Sequence, residues 1–335
     1  MGNNNPGLQI GIIGCGALTR IFYIPVLKKL NINPSVLIDP NVHGIADLVK
    51  ESGALKVSDS IENSIVSVDA AIIASPNYLH AGQAKILLSN GKHVLLEKPM
   101  AATEIDAKEL LEASLQSRAV LQIGMMRRFW HINKVVKKIL ANGILGKLQT
   151  VSMEEGGVLN WPVQSTAIFD PAQSLGGVLM DTGPHTLDLL YWWLGNDEYE
   201  LHYEDDNHGG VEADCSLAVH FKKSGIHAHI KLSRIRTLSN EYILKGTKGW
   251  IKLKPYGNVF ETSGRSIEKY IYNQYSSTEL KNQGIEDLFY EQVTSWLSAI
   301  ELGSKPAIDA ESVLPSVRLI EQCYLHRQQI EYAWD

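Results

Sequence analysis

The first third of the chain alternates short apolar runs with segments of helical periodicity. The apolar runs cover residues 8–13, 36–38, 70–74, 94–96 and 120–123. Their nearly continuous hydrophobicity is typical of parallel strands that helices cover on both faces. Between them, residues 81–89 and 104–117 have helical spacing, and Thr103 followed by Asp106 forms a variant of the helix capping box. The pattern predicts a doubly wound α/β domain with a parallel sheet.

After about residue 126 the pattern changes to alternation of apolar and polar positions. Residues 211–221 and 226–232 alternate in this way, and a Lys-Ser-Gly turn separates them. Period two with one apolar face predicts a hairpin of antiparallel strands in a sheet that is covered on one side. Further strands are expected at 241–244 and 250–253, and helices at 285–302 and 312–329. This half of the chain is therefore predicted to be α+β, with an open, mainly antiparallel sheet.

The size and charge of the chain limit its partners. A length of 335 residues with 44% hydrophobic residues supplies material for two cores. We expect two domains, one at residues 1–125 and the other at residues 126–335. The net charge of −6, without a long basic run, argues against nucleic acid or an anionic membrane as a partner. A small-molecule substrate is favoured.

The cysteines and the N-terminal sequence bear on the compartment. Cys15, Cys215 and Cys323 are too widely spaced for a metal knuckle or a disulfide framework. The N-terminus contains no apolar leader, and no apolar stretch reaches 18 residues. We therefore expect a cytoplasmic protein.

A glycine-rich turn joins the first predicted strand to the first predicted helix. Gly14 and Gly16 have the spacing of the first two glycines of a dinucleotide-binding fingerprint, and Thr19 takes the third position. In that motif the first glycine permits a tight turn, and the second lets a pyrophosphate approach the helix N-terminus. The strand before and the helix after are the context that supports the motif. The residues expected to bind cofactor here are Gly14, Gly16, Ala17 and Leu18.

An acidic residue closes the second predicted strand. Asp39 occupies the position at which the motif places a carboxylate that accepts hydrogen bonds from a ribose diol. A carboxylate there repels a 2′-phosphate, and residues 40–47 contain no Arg or Lys, so NAD is preferred to NADP. The alternative is that Asp39-Pro40-Asn41 is only a turn.

Two groups of polar residues have the chemistry of a dehydrogenase. Lys98 follows the buried strand at 94–96, where its ammonium can meet a substrate oxygen. Asp181, His185 and Asp188 are four and three residues apart and are predicted to share one face of a helix. A carboxylate beside an imidazole orients the ring and raises its affinity for a proton. With NAD these residue types suit the oxidation of an alcohol to a ketone, which needs no metal. The alternative is a helix start with Asp181 as its cap and His185 exposed.

These motifs, in this order, resemble the Gfo/Idh/MocA oxidoreductases, the glucose-fructose oxidoreductase and inositol dehydrogenase group. The resemblance rests on residues 11–19, 74–80, 91–99 and 176–188, and residues 319–324 resemble the last helix of that family. It covers nearly the whole chain. It implies an NAD-binding Rossmann domain with a doubly wound sheet at residues 1–125. It also implies a substrate-binding and oligomerisation α+β domain at residues 126–335.

The resemblance also implies roles for single residues. Lys98 would bind the reacting oxygen, His185 would exchange the proton, and Asp181 would position the substrate and the imidazole. Arg128 would reach the substrate from the start of the second domain. In the family Pro99 often follows a cis peptide bond. The residues implied on the nicotinamide and ribose side are Ser75, Asn77, His80 and Glu97.

The segment at 156–165 departs from the family pattern and is expected to decide which sugar binds. Trp161 could stack on a sugar ring while Gln164 bonds its hydroxyls, but packing of Trp161 beneath a loop is an equal alternative. In the family the open sheet face pairs subunits, which implies a homodimer or homotetramer. His227 and His229 have a spacing that metals use, but they lie at polar positions of a strand and are expected to face solvent or a partner subunit.

The sequence thus predicts an NAD-dependent oxidoreductase acting on a secondary alcohol or ketone of a sugar, a cyclitol or a nucleotide-linked sugar. Two alternatives remain open. One is a reductase of a non-sugar C=O, C=C or C=N group, and the other is a non-catalytic NAD-binding regulator. The joint presence of Lys98, Asp181 and His185 favours the enzyme.

Overall fold

The computed structural model of the protein describes residues 7–160, 169–207, 210–258, 260–274 and 283–330. Trp161 and Gln164, which the sequence places at the substrate, lie outside these residues. The chain divides into two compact units. The described residues of the first unit are 7–125 and 285–317, and the second unit contains the remainder.

The first unit is built on a six-stranded, wholly parallel sheet. Its strands are β1 (Ile10–Ile13), β2 (Val36–Ile38), β3 (Val57–Ser58), β4 (Ala70–Ile73), β5 (His93–Glu97) and β6 (Leu121–Gly124). The helices between them are α1 (Ile24–Lys29), α2 (Ala46–Ser52), α3 (His80–Ser89) and α4 (Glu104–Ser117). The strand order β3-β2-β1-β4-β5-β6 reverses direction between β1 and β4. This confirms the predicted doubly wound α/β fold, in which ligands bind at the carboxyl ends of the strands beside that reversal.

Local sequence accounts for most of these elements. Every residue of β1, β2, β4 and β6 is buried, as their continuous apolar runs predict. The side chain of Thr103 caps α4 by accepting a hydrogen bond from the amide of Asp106 at 3.1 Å. The strand β3 was not predicted, because it has only two residues and neither is fully buried.

The second unit is built on an eight-stranded sheet that is mainly antiparallel. Its strands are β7 (Leu148–Gly156), β8 (Tyr199–Asp205), β9 (Asp214–Phe221), β10 (Ile226–Ser233), β11 (Tyr242–Gly246), β12 (Gly249–Leu253), β13 (Phe260–Ser263) and β14 (Gln328–Gln329). The order is β13-β12-β11-β7-β10-β9-β8-β14, and only the β7–β10 and β8–β14 pairs are parallel. The strands β9 and β10 form the predicted hairpin, with His227 opposite His220. The predicted α+β class is confirmed.

Helices cover one face of this sheet. Those before residue 275 are α5 (His131–Ala141), α6 (Pro171–Ser174), α7 (Val178–Asp181), α8 (Gly183–Leu194) and α9 (Arg265–Gln274). The short helix α7 packs against β9 and β10, and α8 packs against α5 and α7. Most of α8 is buried, which agrees with its apolar sequence.

Two long helices follow, α10 (Ile285–Leu302) and α11 (Ala310–Leu325), and α10 belongs to the first unit. Phe289 stacks on Phe22 with ring centroids 4.5 Å apart, and Gln292 donates a hydrogen bond to the hydroxyl of Tyr23 at 3.0 Å. The sequence analysis assigned the whole chain after residue 125 to the second domain. The structure differs because the apolar face of α10 finds its partners about 270 residues earlier, which periodicity alone does not reveal.

Candidate active site

The turn after β1 requires a glycine at position 14. This residue has a φ of +88°, and its amide donates a hydrogen bond to the carbonyl of Ile38 at 2.9 Å. A Cβ at this position would collide with the backbone of Ala74 and Ser75, which follow β4. Only glycine therefore fits at this position. The turn lies at the edge of the sheet, beside the point where the strand order reverses.

Gly16 is not required by the protein's own packing. Its φ is not positive, and a Cβ there would meet no atom within 4 Å. Glycine at this position leaves space beside the amides of Ala17 and Leu18, which begin the helical segment. A bound pyrophosphate fits that space, because the positive end of a helix and its amides favour an anion.

Thr19 takes the third position of the glycine motif and supports the turn from inside. Its side chain is fully buried and donates a hydrogen bond to the carbonyl of Gly14 at 2.6 Å. It begins a π-helical turn over Thr19–Tyr23 that continues into α1. The missing third glycine is therefore replaced by a side chain that secures the same turn.

Asp39 is attached to the glycine turn by its carboxylate. One oxygen accepts a hydrogen bond from the amide of Cys15 at 2.9 Å, and the other accepts from the amide of Asn41 at 2.9 Å. The bond from Asn41 belongs to the Asp39-Pro40-Asn41 turn, which was the alternative interpretation of this segment. The bond from Cys15 joins the carboxylate to the glycine turn. Burial, with Asp39 nearby, raises the pKa of the Cys15 thiol to about 12, so this cysteine stays protonated.

His80 connects the loops that follow β4 and β5. Its Nε2 lies 2.9 Å from the carbonyl oxygen of Ser75, and its Nδ1 lies 2.8 Å from that of Pro99. The ring is buried, and burial lowers the pKa of this imidazole. Ser75 also donates a hydrogen bond from its hydroxyl to Gln83 at 2.6 Å, while Asn77 lies half-buried in the same loop.

Glu97 supports the loop that carries Lys98. Its carboxylate accepts hydrogen bonds from the hydroxyl of Tyr23 and, at 3.1 Å, from the amide of Lys98. The peptide bond between Lys98 and Pro99 is cis. Glu97 is only 4% exposed, and burial raises the pKa of its carboxyl. The side chain of Lys98 itself is half-buried.

In the second unit, Glu212 fixes the start of α7. Its carboxylate accepts hydrogen bonds from the amides of Gly177 and Leu179 at 2.8 and 3.0 Å. A Cβ at Gly177 would collide with the backbone oxygen of Glu212, and one at Gly176 would collide with the hydroxyl of Tyr324. The two glycines are therefore needed for the close approach of this segment to the sheet.

Asp181 and His185 do not lie on one continuous helix, which corrects the expectation from their spacing. Asp181 ends α7, Thr182 forms a junction, and His185 lies in the first turn of α8. Pro184 has no amide hydrogen and cannot continue the bonding ladder of α7. His185 is 7% exposed and is one of the buried residues of α8, while Asp181 is half-buried.

Arg128 forms a buried ion pair with Asp188 on α8. Its guanidinium donates to both carboxylate oxygens at 2.8 and 2.6 Å, and both side chains are buried. Burial raises the pKa of Asp188, and Arg128 opposes that rise. The pair anchors α8 to the segment after β6, so Arg128 supports the helix that carries His185.

Several supporting residues escaped the sequence analysis. They are Tyr23, Gln292, Glu212, and the buried pair of Arg127 and Glu155. Burial acts to raise the pKa of Glu155, but Arg127 outweighs it and the pKa is lowered. Isolated polar residues in apolar runs are the only signal that sequence provides for such groups.

No cluster of metal-ligating side chains occurs among the residues that the structure describes. His227 and His229 lie at exposed positions of β10, and the ring of His227 stacks on that of His220 at 4.4 Å. Within the same residues, no helix is long and apolar enough to cross a membrane.

Each of the two units contains a stretch that matches a known protein family. Residues 8–125 match the profile of the oxidoreductase family with an NAD-binding Rossmann fold, and residues 134–252 match the GFO/IDH/MocA C-terminal domain. An uncharacterised oxidoreductase of Synechocystis is 30% identical over 57% of this chain, and the match spans only about half, 52%, of that relative. The D-xylose 1-dehydrogenase (NADP(+)) 2 of Haloferax volcanii is 23% identical over 95% of this chain and 96% of its own length.

A similar fold is seen in a solved structure. The WlbA dehydrogenase of Bordetella pertussis, crystallised with NADH and UDP-GlcNAcA, has a TM-score of 0.80 and 19% identity. The alignment covers 95% of this chain and 96% of that one. With the two profile matches, these findings show that the chain belongs to the Gfo/Idh/MocA oxidoreductase family.

Proposed function

We propose that the protein is an NAD-dependent oxidoreductase that interconverts a secondary alcohol and a ketone on a sugar, a cyclitol or a nucleotide-linked sugar. Its membership of the Gfo/Idh/MocA family supports the reaction class. The names of its relatives support the substrate class, since one acts on D-xylose and another was solved with a nucleotide sugar.

The observation that carries the cofactor assignment is the joint geometry of Gly14, Gly16 and Asp39. Gly14 sets the turn, Gly16 leaves room for a pyrophosphate, and the Asp39 carboxylate is held against the same turn by the Cys15 amide. A carboxylate in this place favours a free ribose diol over a 2′-phosphate. The proposal is NAD although the Haloferax relative is named for NADP. Bound beside this turn, NAD would supply the hydride acceptor for the substrate carbon.

The remaining roles belong to side chains of the chain itself. We assign Lys98 to the substrate oxygen, His185 to its proton, and Asp181 to the orientation of both. Lys98 is supported through its amide by Glu97, and α8 with His185 is anchored by Arg128. The proposed cofactor contacts are completed by Ala17, Leu18, Ser75, Asn77, His80 and Glu97. The proposed substrate contacts include Trp161 and Gln164. Arg128, expected from the sequence to reach the substrate, is instead paired with Asp188 and is proposed to act by holding α8.

The proposal is tested by NAD reduction with a panel of aldoses, cyclitols and uronates. Lys98→Ala and His185→Ala should each lower kcat by at least about 100-fold, because each removes a group that acts on the reacting oxygen or its proton. Binding of NADH, followed by fluorescence, should persist in both. The matched controls are Lys50→Ala and His43→Ala, which remove exposed side chains of the same types. Full activity of either active-site variant would refute the assignment.

The same panel separates the alternatives. Tight NADH binding without turnover of any polyol would favour a non-catalytic regulator, and oxidation of NADH by a non-sugar enone or imine would favour the other reductase.

We also propose a homodimer or homotetramer that forms through the open face of the second sheet. Light scattering of wild type and of a His227→Glu/His229→Glu variant tests it, and an unchanged mass would count against that surface.

A further inference from the structure

Arg234 is a buried arginine whose guanidinium finds no hydrogen-bond acceptor among the described residues. Its side chain is 9% exposed, and none of its three nitrogens has a hydrogen-bond partner within the part of the chain that the structure describes. Burial of a charged group is unfavourable unless the charge is paired and its donors are satisfied. The residue therefore lacks the interactions that would account for its position.

Other arginines of the same unit show how this fold usually buries a guanidinium. Arg127 donates to both oxygens of Glu155 at 2.7 and 2.9 Å, and Arg128 engages Asp188 in the same two-pronged manner. Even Arg236, two residues after Arg234 and 57% exposed, contacts Asp214 through two nitrogens. Arg234 is buried like Arg127 and Arg128, but among the residues that the structure describes no carboxylate accepts a hydrogen bond from it.

Arg234 lies just beyond the end of β10, the strand against which α7 packs. Ala228, Ile230 and Leu232 of this strand are buried, and Ser233 at its end is buried as well. Arg234 follows in a bend. Its amide continues the pairing of the two strands by donating to the carbonyl of Ala213, just before β9, at 2.8 Å.

The neighbours of this strand end belong to the proposed active site. Leu232 lies 3.8 Å from the place of a Cβ on Gly183, the first residue of α8, which carries His185 two positions later. The carbonyl of Ala213 accepts the hydrogen bond from the Arg234 amide. Ala213 directly follows Glu212, whose carboxylate fixes the start of α7. Arg234 thus lies at the end of the sheet where α7 delivers Asp181 and α8 begins.

Backbone hydrogen bonds also join Arg234 to the segment that departs from the family pattern. The amide of Leu159 donates to the carbonyl of Arg234 at 2.9 Å, and the amide of Gly157 donates to the carbonyl of Ser233 at 3.2 Å. Residues 157–160 begin the stretch that departs from the family pattern. The same backbone bonds therefore connect Arg234 to the expected substrate wall.

We propose that Arg234 binds an oxyanion, a carboxylate or a phosphate, on the sugar substrate. A guanidinium presents a planar set of donors that matches two oxygens of either group, and it does so best where water is excluded. The inference rests on the proposed oxidoreductase function and narrows its substrate to an acidic sugar. It predicts that the ligand supplies the oxyanion that none of the described residues provides to this guanidinium.

The test compares D-glucose, D-glucuronate and D-glucose 6-phosphate as substrates with NAD. Wild type should show a kcat/KM at least about 10-fold higher for one of the acidic sugars than for D-glucose, and the better of the two identifies carboxylate or phosphate. Arg234→Met should remove this preference, mainly through KM, and leave D-glucose and NADH binding within about twofold. Lys231→Met removes an exposed charge from the same strand and should change neither. A preference of wild type for D-glucose, or an acidic preference that survives in Arg234→Met, would overturn the proposal.

Thermal unfolding separates a ligand-binding role from a structural one. Without ligand, Arg234→Met should unfold at a higher temperature than wild type, because an unpaired buried charge has been replaced by an apolar side chain of similar length. D-Glucuronate or D-glucose 6-phosphate should raise the Tm of wild type and not that of Arg234→Met. A lower Tm of the unliganded variant, or no shift of wild type with either anion, would contradict the site.

The two proposals fail in different ways. Turnover of neutral sugars without any dependence on Arg234 would leave the oxidoreductase function in place and refute the anion site. An anion-induced shift that is lost in Arg234→Met, with no turnover of any sugar, would support the site and count against the oxidoreductase function.

Discussion

The imidazole of His80 lies 2.8 Å from the backbone oxygen of Pro99. Through its other nitrogen, the same ring contacts the backbone oxygen of Ser75, so one side chain joins the loops after β4 and β5. Burial lowers the pKa of His80, and a neutral ring donates a proton to only one of the two carbonyls at a time. The position of Lys98 beside Pro99 therefore depends on a residue that need not touch the substrate.

Replacing His80 should impair the reaction more than cofactor binding. In His80→Ala the Lys98 loop loses its contact with the Ser75 loop, and a small displacement of an ammonium costs rate steeply. We expect kcat to fall about 10- to 100-fold while the Kd for NADH changes by less than about fivefold. His43→Ala removes an exposed histidine and serves as the control. Equal losses in kcat and NADH affinity would instead indicate a general collapse of the region.

The cofactor preference should depend on Asp39. Asp39→Ala removes the acceptor of the ribose hydroxyls and also the bond to the Cys15 amide. We expect NADH to bind about 10- to 100-fold more weakly, since hydrogen bonds to a charged group are among the stronger ones. NADPH should lose less or gain, because repulsion of its 2′-phosphate disappears. Fluorescence titration of both nucleotides checks this, and wild type that binds NADPH more tightly would refute the preference for NAD.

Glu97 should make stability depend on pH in a defined direction. Burial raises the pKa of this carboxyl above its ordinary 4.5, so the folded protein holds the proton more tightly than the unfolded chain does. The stabilisation by protonation is complete below pH 4.5 and is lost as the pH rises through the raised pKa. The stability of Glu97→Gln relative to wild type should therefore increase as the pH rises from 4.5 through the raised pKa.

Urea unfolding at several pH values measures this difference. Glu62→Gln, at an exposed site, should show a difference that does not vary with pH. A flat profile for Glu97→Gln would show that the carboxyl titrates normally in the folded state.

The ion pair of Arg128 and Asp188 should show the asymmetry of buried charges. Asp188→Ala leaves a buried guanidinium without its carboxylate, which should cost about 3–5 kcal/mol of unfolding free energy. The double variant Arg128→Met/Asp188→Leu replaces both charges by apolar groups and should lose much less. Urea denaturation of the single and double variants tests the prediction. Equal losses in both would mean that shape, rather than charge, determines the stability at this contact.

Much of the first unit could be predicted from sequence because its signals are local. The continuous apolar strands, the Thr103 cap and the turn at Gly14 each depend on neighbouring residues, and the structure has them within a residue or two of the expected positions. The return of α10 was not predictable, since its contacts join Gln292 to Tyr23.

The candidate site was only partly predictable for the same reason. Residue types and spacing pointed to Lys98, Asp181 and His185, but the start of α7 depends on how Gly177 meets Glu212, 35 positions later. Arg234 was not singled out, because its distinguishing property is that none of the described residues accepts a hydrogen bond from its guanidinium. Three-dimensional packing determines that property, and no pattern of residues encodes it locally.

The division of the first unit between two stretches of chain affects any attempt to shorten the protein. A fragment that ended at residue 125 would lose the stacking partner of Phe22 and the carbonyl of Gln292 that accepts a hydrogen bond from Gln122. It would also lose the carbonyl of Ile308, which accepts a hydrogen bond from the amide of Ile123 in β6. A minimal nucleotide-binding protein therefore has to splice residues 285–317 behind residue 125, and a simple truncation would expose an apolar surface that promotes aggregation.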